Sequence, residues 1–134
     1  MSRAPDRPFD IVFDRAQGPL PFVPRAGDDG TVYWEYTVDP AHFNPYGTLH
    51  GGVVMALLDS AMGHVVAAAV HPHGRFNAAA EMNVHVLAPT RSGIVRAHAR
   101  LVKLGKRLAV MEARAENEAG VQIALATATH SILP

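Results

Sequence analysis

The chain alternates most cleanly from Thr31 to Val38. Val32, Trp34, Tyr36 and Val38 fall on one side, and Thr31, Tyr33, Glu35 and Thr37 on the other. Such period-two alternation predicts a half-buried strand. Four more stretches of this kind follow later. Met82, Val84 and Val86 oppose Glu81, Asn83 and His85. Val95, Ala97, Ala99 and Leu101 oppose Arg96, His98 and Arg100. Ala109, Met111, Ala113 and Ala115 oppose Glu112, Arg114 and Glu116, and Val121 to Ile132 closes the chain. Between the first strand and these four, Gly51 to Val70 is apolar at almost every position. That predicts a helix buried on nearly all sides, entered through the turn-rich Asp39–Thr48 loop and ended by His71-Pro72-His73-Gly74.

The breaks at Pro89–Gly93, Gly105–Arg107 and Glu118–Gly120 are short and hold turn residues. Short connections make neighbouring strands antiparallel, so the expected order is strand, long helix, four-strand meander. A helix of ~27–30 Å that is apolar all round cannot be covered by a flat sheet. Either the sheet curls round it or a second subunit covers its open side. The predicted class is therefore α+β, an antiparallel sheet curled round one central helix. Residues 1–30 are rich in proline and glycine and read as an N-terminal arm with a short helix at Phe9–Ala16, leaving 31–134 as the domain.

Composition narrows the functional classes. A length of 134 residues suits a single domain. Twelve basic and twelve acidic side chains cancel without a long run of either sign, so the basic stripe of a nucleic-acid binder is missing. The absence of cysteine excludes a disulfide framework, a thiolate metal site and a cysteine nucleophile, and fits a reducing compartment. Met1–Asp10 lacks the apolar core of a signal peptide. Val53–Val70 has the length of a membrane span but carries Asp59, Ser60, Gly63 and His64, and a charge at mid-bilayer is costly. A soluble, cytoplasmic protein with no membrane or nucleic-acid partner is the expectation. The eight histidines show no paired ligand spacing on one helix face, so no metal site is expected; His71, His73, His85, His98 and His130 read as surface or hydrogen-bonded side chains.

Candidate chemistry gathers at the helix entrance. Backbone N–H groups at a helix N-terminus point outward without partners, at the positive end of the dipole. Gly51-Gly52 lets another group approach them, which suits a carbonyl oxygen gaining negative charge, although a glycine pair also makes an ordinary tight turn. Asp59 stands two turns further on among Leu58, Ala61 and Met62, with no basic residue on the helix to pair with it. A buried carboxylate of this kind is either functional or held by backbone and solvent, and pattern alone leaves both readings open.

Asn44, His50-Gly51-Gly52 and Asp59, eight residues after the first glycine, together resemble the signature of the hotdog-fold acyl-CoA thioesterases. The similarity is greatest to the phenylacetic-acid-degradation and 4-hydroxybenzoyl-CoA types, and it extends through Leu87-Ala88-Pro89 and the Gly105-Lys106-Arg107 turn. The resemblance implies a hotdog fold and hydrolysis of an aromatic or medium-chain acyl-CoA. Asp59 would be nucleophile or general base, and the Gly51 N–H would polarise the carbonyl. His50 would help fix that end, and Asn44 would orient water or the carboxylate. Gly52, Gly63, Ala79, Lys106 and Arg107 would lie along the substrate, the last two near the coenzyme A phosphates. Coenzyme A is part of the substrate, and no cofactor is implied. Two positions depart from the pattern: some relatives carry Ser or Thr where this chain has Gly63, and others a water-holding Ser where it has Ala79. Trp34, Tyr36, Phe43 and Tyr46 could line an acyl pocket or belong to the core.

Eight helical residues separate Gly51 from Asp59 by ~12 Å. Both must come within roughly 3–3.5 Å of one carbonyl carbon. A site shared across a two-fold axis is therefore expected, in a homodimer that the resemblance extends to a dimer of dimers. Two other readings stand beside hydrolysis. One is a hydratase or dehydratase of the same fold, using His50 with Asp59. The other is a non-catalytic acyl-CoA sensor, a class that usually lacks the acid and adds a DNA-binding segment.

Overall fold

A computed structural model describes residues 21–134; the helix expected at Phe9–Ala16 lies outside them. The apolar run forms α1, Gly51–Val70, within the expected bounds. Its buried residues, among them Leu57, Leu58, Met62 and Val66, leave little of its circumference free. The stretch Gly51–His73 is long and apolar enough to cross a membrane (mean hydropathy 1.9 over an 18-residue window), but 61% of that window is buried within the fold. Burial inside a protein accounts for such a helix.

Around α1 curls one antiparallel sheet, made of β1 (Phe22–Ala26), β2 (Val32–Thr37), β3 (Phe76–Val86), β4 (Ile94–Leu104), β5 (Leu108–Asn117) and β6 (Gln122–Leu133). Its order is β1-β2-β4-β5-β6-β3. β1 is an edge strand paired with β2 inside the segment where the sequence shows no periodicity. Two of its five residues are proline and alanine, and an edge strand needs little alternation to pair along one side.

The expected four-strand meander is corrected. Only β4, β5 and β6 form one, and β3 pairs with β6 instead of β4. Three strand spacings separate β3 from β4, or ~14 Å. The seven residues 87–93 can reach farther than ~20 Å, so a short connection need not be a hairpin. This crossing is anchored along its length. Leu87 N–H donates to Ile123 O (2.7 Å), Leu49 N–H to Thr90 O (2.8 Å) and Val38 N–H to Gly93 O (2.9 Å).

Small side chains let the sheet close on the helix. Across the strands, Trp34, Ala97, Ala115 and Ala124 form one row, and Ala99, Ala113 and Ala126 the next. All but Ala99 are buried. Irregularities in register at Ala79/Glu81, Leu101/Lys103 and Ala115/Glu116 add local twist to long strands that would otherwise be too flat. The opposite face of β4 and β5 is polar, with Arg96–Glu35, His98–Glu116 and Arg100–Glu112 paired across it. Partly exposed pairs of this kind contribute little to stability.

Ala115 is fully buried at the centre of its row. Replacing it with Leu should push helix and sheet apart, lowering unfolding free energy by about 1–3 kcal/mol. Urea denaturation checks this, and an unchanged midpoint would show that the alanine row does not set the helix-to-sheet distance.

Candidate active site

The residues singled out in the sequence fall into three groups. The first surrounds the helix entrance. Tyr36 is fully buried and places its hydroxyl 2.5 Å from His42 Nδ1, while accepting the Asp39 N–H (3.1 Å). His50 N–H donates to His42 O (3.0 Å), so the loop is tied to the sheet at both ends. Within it, Asn44 Oδ1 accepts the N–H groups of Tyr46 (3.0 Å) and Thr48 (3.2 Å), and its Nδ2 donates to Thr48 Oγ1 (2.8 Å). Asn44 thus builds the turn that delivers the chain to the helix, and keeps one amide proton for anything else.

His50 is the N-cap and offers no side-chain hydrogen bond to the helix. The leading N–H groups of α1 are therefore uncapped by the residue best placed to cap them. A Cβ added at Gly51 or Gly52 would meet nothing within 4 Å. Inside this chain neither position requires glycine for space. Both open toward a cavity or the surface, and Asn44, Thr48, Gly51, Val54, Leu87 and Pro89 border a cavity of about 280 Å³. Asp59 is not on its wall.

The second group surrounds Asp59, which is half-buried. Burial pushes its carboxyl above the ordinary carboxylate value, and the nearby His130 pulls it partly back. His130, on β6, is 3% exposed. Burial holds its imidazole below the usual histidine value, opposed by the Asp59 charge. His130 lies across from Ala79 on β3 and Ala109 on β5. Its Nδ1 is 3.1 Å from Asn77 Nδ2, which also donates to Gly63 O (3.2 Å). A Cβ at Gly63 would lie 3.8 Å from His130 Cε1, an ordinary contact. Asp59, Gly63 and Ala79 are thus gathered round a histidine that sequence reasoning left as a single strand residue, and Asn77 was missed altogether. Asn77 and His130 are 53 residues apart and meet only because β3 pairs with β6.

The third group is the Lys106–Arg107 turn between β4 and β5. Lys106 O accepts from Arg75 Nη2 (2.7 Å), and Arg107 O accepts from Ile132 N–H (2.8 Å). Arg75 follows the end of α1, so this turn lies at the opposite end of a ~30 Å helix from Gly51. Of the aromatic residues, Trp34 and Tyr36 belong to the core, whereas Tyr46 is 90% exposed.

Residues 46–124 match the Thioesterase superfamily. The chain belongs to that superfamily. Its six-stranded sheet round one helix is the hotdog fold of these thioesterases, and the protein is a thioester hydrolase. Human acyl-coenzyme A thioesterase 13 is 31% identical over 110 residues, covering 80% of this thioesterase and 74% of the human protein. A Bacillus halodurans protein solved with CoA superposes with a TM-score of 0.80 at 29% identity, covering 84% of this chain and 74% of its own. A phenylacetic acid degradation-related protein from Ralstonia eutropha gives 0.74 at 28% identity, with 87% and 94% covered.

The raised carboxyl of Asp59 has a consequence for stability. A folded-state value above the unfolded one stabilises the fold below the ordinary carboxylate range, and that contribution is lost as pH rises through the raised value. Asp59→Asn should therefore melt at a higher temperature than the parent thioesterase near neutral pH. The difference should vanish below the ordinary carboxylate range. Melting curves across that interval check this; no gain at neutral pH would mean the charge is fully compensated.

Proposed function

We propose that this thioesterase hydrolyses an acyl-CoA, with Asp59 as nucleophile or general base and the Gly51 N–H of the partner subunit polarising the thioester carbonyl. The observation that carries this reading is the placement of both groups on one rigid helix, ~12 Å apart. An uncapped, glycine-led helix end suits an oxygen that becomes negative. A carboxyl half-buried among apolar side chains suits proton abstraction or attack. One chain cannot bring them to a single carbonyl, and a two-fold axis can. With two helices antiparallel across that axis, one subunit's Gly51 would also approach its partner's Lys106–Arg107 turn, where basic groups would meet the coenzyme A phosphates.

The surface left open by one chain supports the same assembly. Met55 on α1 is 38% exposed beside exposed Gly52. β3 is an uncovered edge of 11 residues carrying Met82 and Val86. Long edges of this kind call for a partner. Pairing of such dimers into a tetramer follows the resemblance. An aromatic or medium-chain acyl group is the proposed substrate class, in keeping with the relative associated with phenylacetic acid degradation. Water adds its oxygen to the acyl carbon, the C–S bond breaks, and the sulfur leaves with a proton as CoA thiol; this step needs no cofactor.

Thiol release from a panel of acyl-CoAs tests the reading. Asp59→Asn should lose most of its turnover, and unimpaired hydrolysis would sink the assignment. Gly51→Pro deletes one N–H at a position where proline is tolerated, since His50 already has φ −55° and ψ 132° and space beyond Gly51 is open. It should lower kcat by about 10²–10³-fold.

Mixing the two inactive variants gives a sharper result. Heterodimers rebuild one intact site each, so about a quarter of parental activity should return on random exchange. No recovery from subunits shown to exchange, or a solution mass of one chain, would overturn the shared site.

A further inference from the structure

The helix entrance is tied to one buried phenol. Tyr36 on β2 is fully buried, and its oxygen accepts the Asp39 N–H at 3.1 Å. Among the described residues its one other hydrogen-bond partner is His42 Nδ1, at 2.5 Å. Burial pushes the phenol above its ordinary value, so the hydroxyl keeps its proton. A buried donor left unmatched is costly and rare in native proteins. Tyr36 O–H therefore donates to Nδ1, and the neutral His42 ring carries its own proton on Nε2.

This bond is the first in a chain that ends at the Gly51 N–H. The short 3-10 turn Pro40–His42 is gripped by the phenol at both ends, through the Asp39 N–H and the His42 ring. Asp39 Oδ1 caps the turn by accepting the Ala41 N–H (2.9 Å). His42 O then accepts the His50 N–H (3.0 Å). His50 O in turn accepts from Val53 (3.0 Å) and Val54 (3.4 Å) in the first turn of α1. The His50 carbonyl and the Gly51 N–H belong to one planar peptide unit, so holding the carbonyl aims the N–H.

We propose that Tyr36 and His42 are positioning residues for hydrolysis, setting the direction of the Gly51 N–H through the His42 and His50 carbonyls. Neither acts on the substrate itself. The proposal rests on the reading given above in which the Gly51 N–H polarises the thioester carbonyl. Such a donor acts on charge that develops in the transition state, so a change in its aim lowers kcat and leaves substrate binding nearly intact. A displacement of about 1 Å is enough for a loss of about 10²-fold. The Leu49 N–H bond to Thr90 O (2.8 Å) does not pass through the phenol, so the loop stays attached to the β3–β4 crossing when the hydroxyl is removed.

Thiol release from the best substrate of an acyl-CoA panel tests this. Tyr36→Phe keeps the ring in the core and removes one hydroxyl. It should lower kcat about 10–100-fold with KM little changed. His42→Leu should do the same. In His42→Asn the amide oxygen stands near the place of Nδ1 and accepts the phenol proton, so most of the rate should return. The decisive readout is the double variant. The chain acts only through the Gly51 N–H, so Tyr36→Phe should lower kcat no further once Gly51→Pro has removed that donor. A merely structural role would give the same loss in both backgrounds. In ¹⁵N-histidine-labelled protein the neutral His42 ring should show an unprotonated Nδ1. A protonated Nδ1, parental kcat in folded Tyr36→Phe and His42→Leu, equal losses with and without Gly51→Pro, or no recovery in His42→Asn each overturn the proposal. If Tyr36→Phe does not fold, the two variants of His42, a partly exposed residue, decide in its place. Gly51→Pro alone separates the failures. Full hydrolysis there overturns the Gly51 reading and this proposal together, whereas hydrolysis lost there but intact in Tyr36→Phe removes the positioning role alone.

Discussion

Everything in this fold depends on covering a 20-residue helix that is apolar on nearly every side. A helix normally offers one stripe to a core and gives the rest to water. Here Leu57, Leu58, Met62 and Val66 are all buried, so the sheet must reach round α1. Two features make that geometry accessible. Rows of alanine bring the concave face close to the helix, and bulges let long strands bend instead of running flat. The sheet cannot close completely, since β3 ends it as a free edge. The side left open carries Gly52, Met55 and the half-buried Asp59. Burial demand and the location of the proposed chemistry are thus one problem.

The same helix acts as a ruler. Its N-terminus supplies donors, and its third turn supplies a carboxyl whose ionisation is made harder by burial. Rigid spacing keeps them apart within one subunit, which is an advantage for stability. A carboxylate lying against its own helix's N-terminal N–H groups would be drawn into an N-capping role. Held two turns away, it keeps a pKa that burial raises above the ordinary carboxylate value. Separation within a chain, and the proposed convergence between chains, would be two effects of one length.

Much of this was legible in the sequence. Gly51–Val70 fell within its expected bounds because continuous apolarity with glycine at one end and His-Pro-His-Gly at the other is a strong, local signal. The strands after it were equally clear in their alternation. Pairing was not. The segment from Leu87 to Gly93 is short, and brevity suggests adjacency, whereas Pro89 lies in a crossing pinned by Thr90, Gly93 and Ile123. That single error concealed the Asn77–His130 contact, because the partners approach only through β3–β6 pairing. Phe22–Ala26 was missed for a different reason: an edge strand holding Pro24 pairs through backbone alone and leaves no periodic trace. Asn44 stands out in the sequence through its place in the motif, but its work in building the entrance turn depends on where Thr48 folds back.

The departures from the resemblance then find a common physical setting. Gly63 and Ala79 looked like two separate losses of a hydroxyl near the carboxylate. In the fold they flank one side chain: Gly63 faces His130 Cε1, and Ala79 stands across from His130 in the β3–β6 ladder. An imidazole is far larger than a hydroxyl, and a tightly packed interior admits it only where its neighbours are small. Glycine and alanine provide that room, and the ring lies against the turn that follows Asp59. Read residue by residue, the positions suggest a weakened water site. Read as a packed group, small residues at 63 and 79 and a large polar one at 130 describe the same volume filled another way.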